Sequence, residues 1–128
     1  MASILPKVNL PTSVLAHAIG LTLLGLGLIF GLETPYFKSE SSPVLGITSL
    51  GLGLAYLSTS YMPLAENAFL HASVPVRVGL AAVSATRALL AKEGEDTGVL
   101  WVIALYDGLG GLSLGWTLGR WNGRIARY

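Results

Sequence analysis

The sequence predicts an all-α fold: four transmembrane helices running up-down-up-down in one bundle. Three observations lead there. Four apolar stretches, roughly 13–32, 44–62, 69–90 and 99–119, fill most of the 128 residues. Each is close to the ~20 residues that a helix rising ~1.5 Å per residue needs to cross a ~30 Å hydrocarbon layer. Charged residues make up 12% of the chain, against about 25% in soluble domains, so lipid replaces water around most of it.

Residues 1–12 carry Pro6 and Pro11 and read as a short N-terminal tail. The first span follows. Its apolar run exceeds the ~7–15 residues of a signal-peptide core, and no small-residue cleavage pattern occurs at Gly31-Leu32-Glu33-Thr34-Pro35, so it is expected to be retained. A polar loop, Glu33–Pro43, has a proline near each helix end, and Met62-Pro63 closes the second span. The third span opens near Phe69. A competing start at Val74 is offered by Ser73 as a cap and Pro75 in the first turn. The charged loop Lys92–Gly98 leads to the fourth span. Residues 13–120 thus form a single membrane domain, followed by a basic C-terminal tail, 121–128.

Orientation is read from Lys and Arg in the short flanks. Lys7, Arg120, Arg124 and Arg127 bracket the termini, whereas Lys38 and Lys92, with Arg87 near the boundary, lie on the other side. Both termini are therefore expected in the cytoplasm, which an even number of spans allows.

Lipid supplies no hydrophobic drive between helices, so faces of small residues that let backbones approach mark the contacts. Gly108, Gly111, Gly115 and Gly119 form such a stripe in the fourth span, and Ser73, Ala81, Ser84 and Ala88 form one in the third. Gly27 and Gly31 suggest a similar contact for the first. An internal echo also occurs: Gly20–Leu28 matches Gly46–Leu54 at seven of nine positions, offset by 26 residues. Duplication of a transporter-like repeat and the restricted composition of membrane helices both account for it.

Charges inside a span cost ~2.5–3.5 kcal/mol each on insertion scales and need a reason. Asp107 stands near the middle of the fourth span and Arg77 on the small face of the third. An ion pair between them is expected if the third span starts near Phe69. If it starts at Val74, Arg77 reaches the headgroups instead. His17, Tyr56, Glu66, Asn67 and His71 gather toward the cytoplasmic half. A histidine titrating near neutrality, a carboxylate, a tyrosine and an arginine for a developing anion suit acid–base work on a lipophilic molecule. Asp107, Arg77, His71 and His17 are the candidate catalytic residues, and Tyr56, Asn67, Glu66 and Tyr106 the candidate substrate contacts. Each also has a plain reading: headgroup contact for the histidines and Glu66, interhelical packing for Tyr56.

No metal site is expected, because His17 and His71 stand alone on separate helices. No cofactor is expected either. The chain has no cysteine, and G-x-S-x-G, P-loop and C-x-x-C motifs are absent. With a net charge of +1 and no basic stripe, nucleic acid is discounted as a partner.

Pro63-Leu-Ala-Glu-Asn67, His71-Ala-Ser-Val-Pro-Val-Arg77, Tyr106-Asp-Gly-Leu-Gly-Gly111, Gly115-Trp116 and Gly119-Arg120 resemble a family of small four-helix integral membrane proteins of unknown function, common in fungi. The resemblance covers roughly residues 14–124 and singles out Arg77 and Asp107. It implies no established reaction, but it points toward biosynthetic pathways for lipophilic secondary metabolites. The expected compartment is the endoplasmic reticulum or another endomembrane. In size and span number the chain is also similar to membrane anthrone oxygenases, without their motifs.

The expectation is therefore an integral membrane protein in the metabolism of a lipophilic compound, with cofactor-free isomerisation or cyclisation near Arg77 and Asp107. Whether it is an enzyme at all stays open. A non-catalytic scaffold of a pathway and a small dimeric exporter are the alternatives. The partners expected are the bilayer, a lipophilic small molecule, and a second copy or other membrane proteins of the pathway.

Overall fold

The computed structural model describes residues 7–31 and 42–127. They fold into four α-helices and one 3-10 turn, with no strand among the described residues: α1 (Thr12–Ile29), α2 (Ser42–Ser58), a turn at Leu64–Glu66, α3 (Ala68–Leu89) and α4 (Gly98–Leu118). Three of them, α1, α3 and α4, are long and apolar enough to cross a membrane. The chain divides into two compact units, Met1–Leu64 and Ala65–Tyr128, and each holds one helical hairpin.

In the first unit, Leu15 N–H bonds to the Pro11 carbonyl as α1 begins, and Phe30 N–H to that of Leu26 as it ends. Gly31, at φ 90°, then turns the chain out of the helix. The buried residues Val14, His17, Ala18, Gly25 and Leu28 lie on one face. That face meets α2 through backbone. A side chain at Gly25 would lie 2.7 Å from the Gly46 carbonyl oxygen and 2.5 Å from Leu50 N. At Gly46 it would lie 2.9 Å from Ile29 N, and at Gly53 2.9 Å from the Ala18 carbonyl oxygen. Rising positions on α1 thus meet falling positions on α2, so the hairpin is antiparallel.

Gly25 makes this contact, whereas Gly31 lies past the helix and meets nothing within 4 Å. The echo is not repeated in packing. Gly20 and Gly51, the counterparts of Gly46 and Gly25, also face open space. The two halves of the echo thus make different contacts in this hairpin.

The second helix is shorter than the span expected at 44–62. Its end is consumed locally: Ser58 and Thr59 hydroxyls bond back to the Ala55 carbonyl. Beyond it, Asn9 holds the turn, its N–H donating to the Ser60 carbonyl at 2.7 Å and its Nδ2 to that of Tyr61 at 2.9 Å.

In the second unit, Asn67 starts α3, its Oδ1 accepting the Leu70 N–H at 2.9 Å. This cap sits eight residues before Pro75, so the helix runs through the proline instead of starting at Val74. The α3–α4 loop turns at Gly94, φ 88°. Glu95 fastens it, accepting from Arg87 Nη2 at 3.0 Å and from Lys92 N–H at 3.1 Å. Gly119, φ 63°, ends α4 in the left-handed conformation.

The outward faces of both hairpins are apolar: Leu23 and Phe30 on α1, Val44 and Ile47 on α2, Val83 and Leu89 on α3, Leu105 and Leu109 on α4 are all exposed. Surfaces of that kind mark a membrane environment, and the chain is membrane-associated.

Two outcomes follow from these contacts. Gly25→Ala, which must push backbone apart, should lose about 1–3 kcal/mol in detergent unfolding, whereas Gly51→Ala should be neutral or stabilising by up to ~1 kcal/mol. Equal effects would contradict the hairpin register. The Arg87 hydrogen bond, then that of Lys92, holds the Glu95 carboxyl below its ordinary pKa. The loop contact is therefore complete above the ordinary carboxylate range and is lost as pH falls through the depressed value. An NMR titration should place Glu95 below the ordinary glutamate range, and Arg87→Gln should return it toward that range.

Candidate functional site

Arg77 and Asp107 form the polar centre of the second unit. Arg77 lies nine residues into α3 and Asp107 nine into α4, each ~13 Å along its helix. The two helices are antiparallel: Gly111 faces Arg77 and Val78, while Gly108 faces Ala81. Equal depths from opposite ends therefore coincide near mid-span. Arg77 Nε donates to Asp107 Oδ1 at 3.0 Å, and the side chains are 7% and 20% exposed. The arginine is enclosed; the carboxylate retains an open side.

Glycine makes the enclosure possible. A side chain at Gly110 would collide with the Arg77 guanidinium, and one at Gly111 would lie 3.2 Å from Arg77 Cβ. The cation thus lies against bare α4 backbone at Gly110. The Tyr106 ring flanks it, with its centroid 5.7 Å from Arg77 Cζ, within cation–π range. Tyr106 itself is exposed.

The remaining candidates are placed differently. His17 and Tyr56 are buried in the first unit and meet edge to face, ring centroids 5.5 Å apart at 78°. Asn67, expected to orient a substrate, spends its Oδ1 capping α3. His71 is buried one turn further along α3, its N–H bonded to the Asn67 carbonyl. Glu66 is exposed on the 3-10 turn. The structure therefore brings His17 together with Tyr56, and Arg77 with Asp107 and Tyr106.

Three residues in these surroundings escape a reading by spacing alone. Gly110 is hidden because the stripe runs through Gly108, Gly111, Gly115 and Gly119 and passes it by; its position three after Asp107 is the available signal. Trp121 packs its ring on Gly115, and Gly123 lies against the Pro75 ring. Gly115 therefore seats a tryptophan rather than α3, and Gly119 ends the helix.

What this arrangement can do follows from its inventory. A guanidinium has five N–H donors, and Asp107 takes one. The Nη groups lie against Gly110 and reach an oxyanion only as the guanidinium shifts, whereas the open side of the carboxylate is reached directly.

Gly110→Ala forces the guanidinium away from Asp107 without touching main chain. It should destabilise the protein by about 1–3 kcal/mol, and the loss should largely disappear in an Arg77→Met/Asp107→Leu background. Additive effects in this double-mutant cycle would show that Gly110 does not act through the pair. Asp107→Ala should cost about 3 kcal/mol by leaving the buried cation unpaired.

No family model, no curated protein and no solved structure matches the chain, so the family expectation rests on the residues quoted for it.

Proposed function

We propose that this protein is a four-span membrane protein, both termini cytoplasmic, that acts on a lipophilic small molecule through the Arg77–Asp107 centre. The reaction class that suits it is a cofactor-free isomerisation or cyclisation. In such a step Asp107 moves the proton, and Arg77 stabilises the oxyanion that forms. The observation that carries this reading is the asymmetry of the pair. One hydrogen bond joins the residues near mid-span, the carboxylate keeps an open side, and the exposed Tyr106 ring flanks the guanidinium.

The four-span topology draws support from the first hairpin. Because α2 packs antiparallel along α1 from Ala18 to Ile29, it retraces the depth that α1 crosses. At 17 residues it is ~25 Å long, which a bilayer accommodates by thinning locally. An even number of spans then leaves Lys7, Arg120, Arg124 and Arg127 on the positive, cytoplasmic side. The endoplasmic reticulum or another endomembrane is the proposed location.

A second reading, a non-catalytic assembly subunit of a pathway, draws on the fit of Arg77 against Gly110, which also suits a device that fixes helix register.

Gene disruption in the host, with profiling of lipid-extractable metabolites, tests both. A precursor should accumulate, and the wild-type gene should clear it. The Arg77→Met/Asp107→Leu variant, shown by circular dichroism to keep its helices, should fail to clear it. Full clearance by that variant would leave the pair only its structural role and favour the assembly reading.

A further inference from the structure

The segment after α4 is pinned, cationic and placed at a helix end. Gly119, φ 63°, reverses the chain. The Trp121 ring then packs on Gly115, where a side chain at the glycine would lie 2.6 Å from Cε3. Gly123, φ 72°, lies against Pro75 and Ala72 of α3, its added side chain meeting Pro75 Cγ at 2.9 Å. Between these two anchors Asn122 Oδ1 accepts the Arg124 N–H at 3.1 Å. The segment therefore crosses from α4 to α3 and doubles back by one to two helical turns.

Arg120, Arg124 and Arg127 are all exposed along it. No acidic residue occurs after Asp107. Among the described residues the ion pairs are Arg77–Asp107 and Arg87–Glu95, so these three cations have no carboxylate partner among those residues. Trp116 and Trp121 flank them, both exposed; such amphipathic rings settle at the level of lipid headgroups. Fixed cations at that level face lipid phosphates rather than bulk water.

We propose that residues 119–127 form a docking surface for anionic phospholipid headgroups, with Arg120, Arg124 and Arg127 as the phosphate contacts and Trp121 as the wedge that sets their depth. The two glycine contacts make the surface preformed, so little ordering is required on binding. Juxtamembrane arginines near an anionic surface each contribute a factor of roughly five in affinity.

The test uses the full chain with Trp101→Phe and Trp116→Phe, which leaves Trp121 as the reporter. In nanodiscs, brominated phosphatidylglycerol should quench Trp121 far more strongly than brominated phosphatidylcholine at the same mole fraction. High salt should weaken that preference. In R120Q/R124Q/R127Q the mole fraction of phosphatidylglycerol giving half-maximal quenching should rise by roughly fivefold or more. Equal quenching by the two lipids, or an unchanged midpoint in the triple variant, overturns the proposal. Should the single-tryptophan chain lose its helicity, lipid co-purifying with the unaltered chain from mixed bilayers gives the same answer. Enrichment of phosphatidylglycerol that the triple variant loses supports the proposal, and recovery in the bulk ratio overturns it.

Discussion

Two helices in lipid gain nothing by hiding apolar surface from each other, because the surroundings are as apolar as they are. Every contact between neighbouring helices here has to come from close backbone approach or from polar pairing, and the two hairpins use different means. In the first, Gly25, Gly46 and Gly53 bring main chain against main chain. No charged residue occurs in either of its helices. In the second, backbone approach at Gly111 is combined with an ion pair. Gly110 opens room for the guanidinium instead of for a neighbouring backbone.

That difference sets the chemistry available in each unit. The first offers a buried histidine packed edge to face with a tyrosine, without a charged residue from either helix. The second places a cation and an anion near mid-span, where separating them would expose each to lipid at a cost of ~2.5–3.5 kcal/mol or more. Arg77 can therefore move only as far as another oxygen can replace Asp107. An incoming oxyanion satisfies that condition, and an apolar molecule does not.

Much of the fold was legible in the sequence because its signals are local. Run length gave the helices, and proline, glycine and loop charge gave most of their ends. The second helix came out shorter than its apolar run, since Ser58 and Thr59 turn their hydroxyls back on the helix and Asn9, from a distant stretch, holds the turn beyond it. The start of α3 was ambiguous for a similar reason: Ser73-Val-Pro75 and Asn67 are both sound caps, and only the bond from Leu70 N–H selects Asn67. The Arg77–Asp107 pairing was legible on only one of those two starts, so it waited on the Asn67 cap. The roles of individual glycines were not legible. Gly25 against Gly51, or Gly110 against Gly115, differ only in what happens to lie opposite, and composition carries no trace of that.

A purely structural account of the ion pair has to explain why this hairpin needs one. Exchanging buried ion pairs for apolar residues of similar size is often neutral or stabilising, and the chain contains a working alternative. Its other hairpin closes on glycine and leucine backbone without a charge. The second hairpin already has Gly108 against Ala81 and Gly111 against Val78, the beginnings of the same seam. A pair present only to join the helices would be enclosed on both sides. Here Arg77 is enclosed while Asp107 keeps an accessible side. The arginine thus holds the carboxylate by one oxygen at 3.0 Å and leaves its other side uncovered, an arrangement that joining two helices does not require.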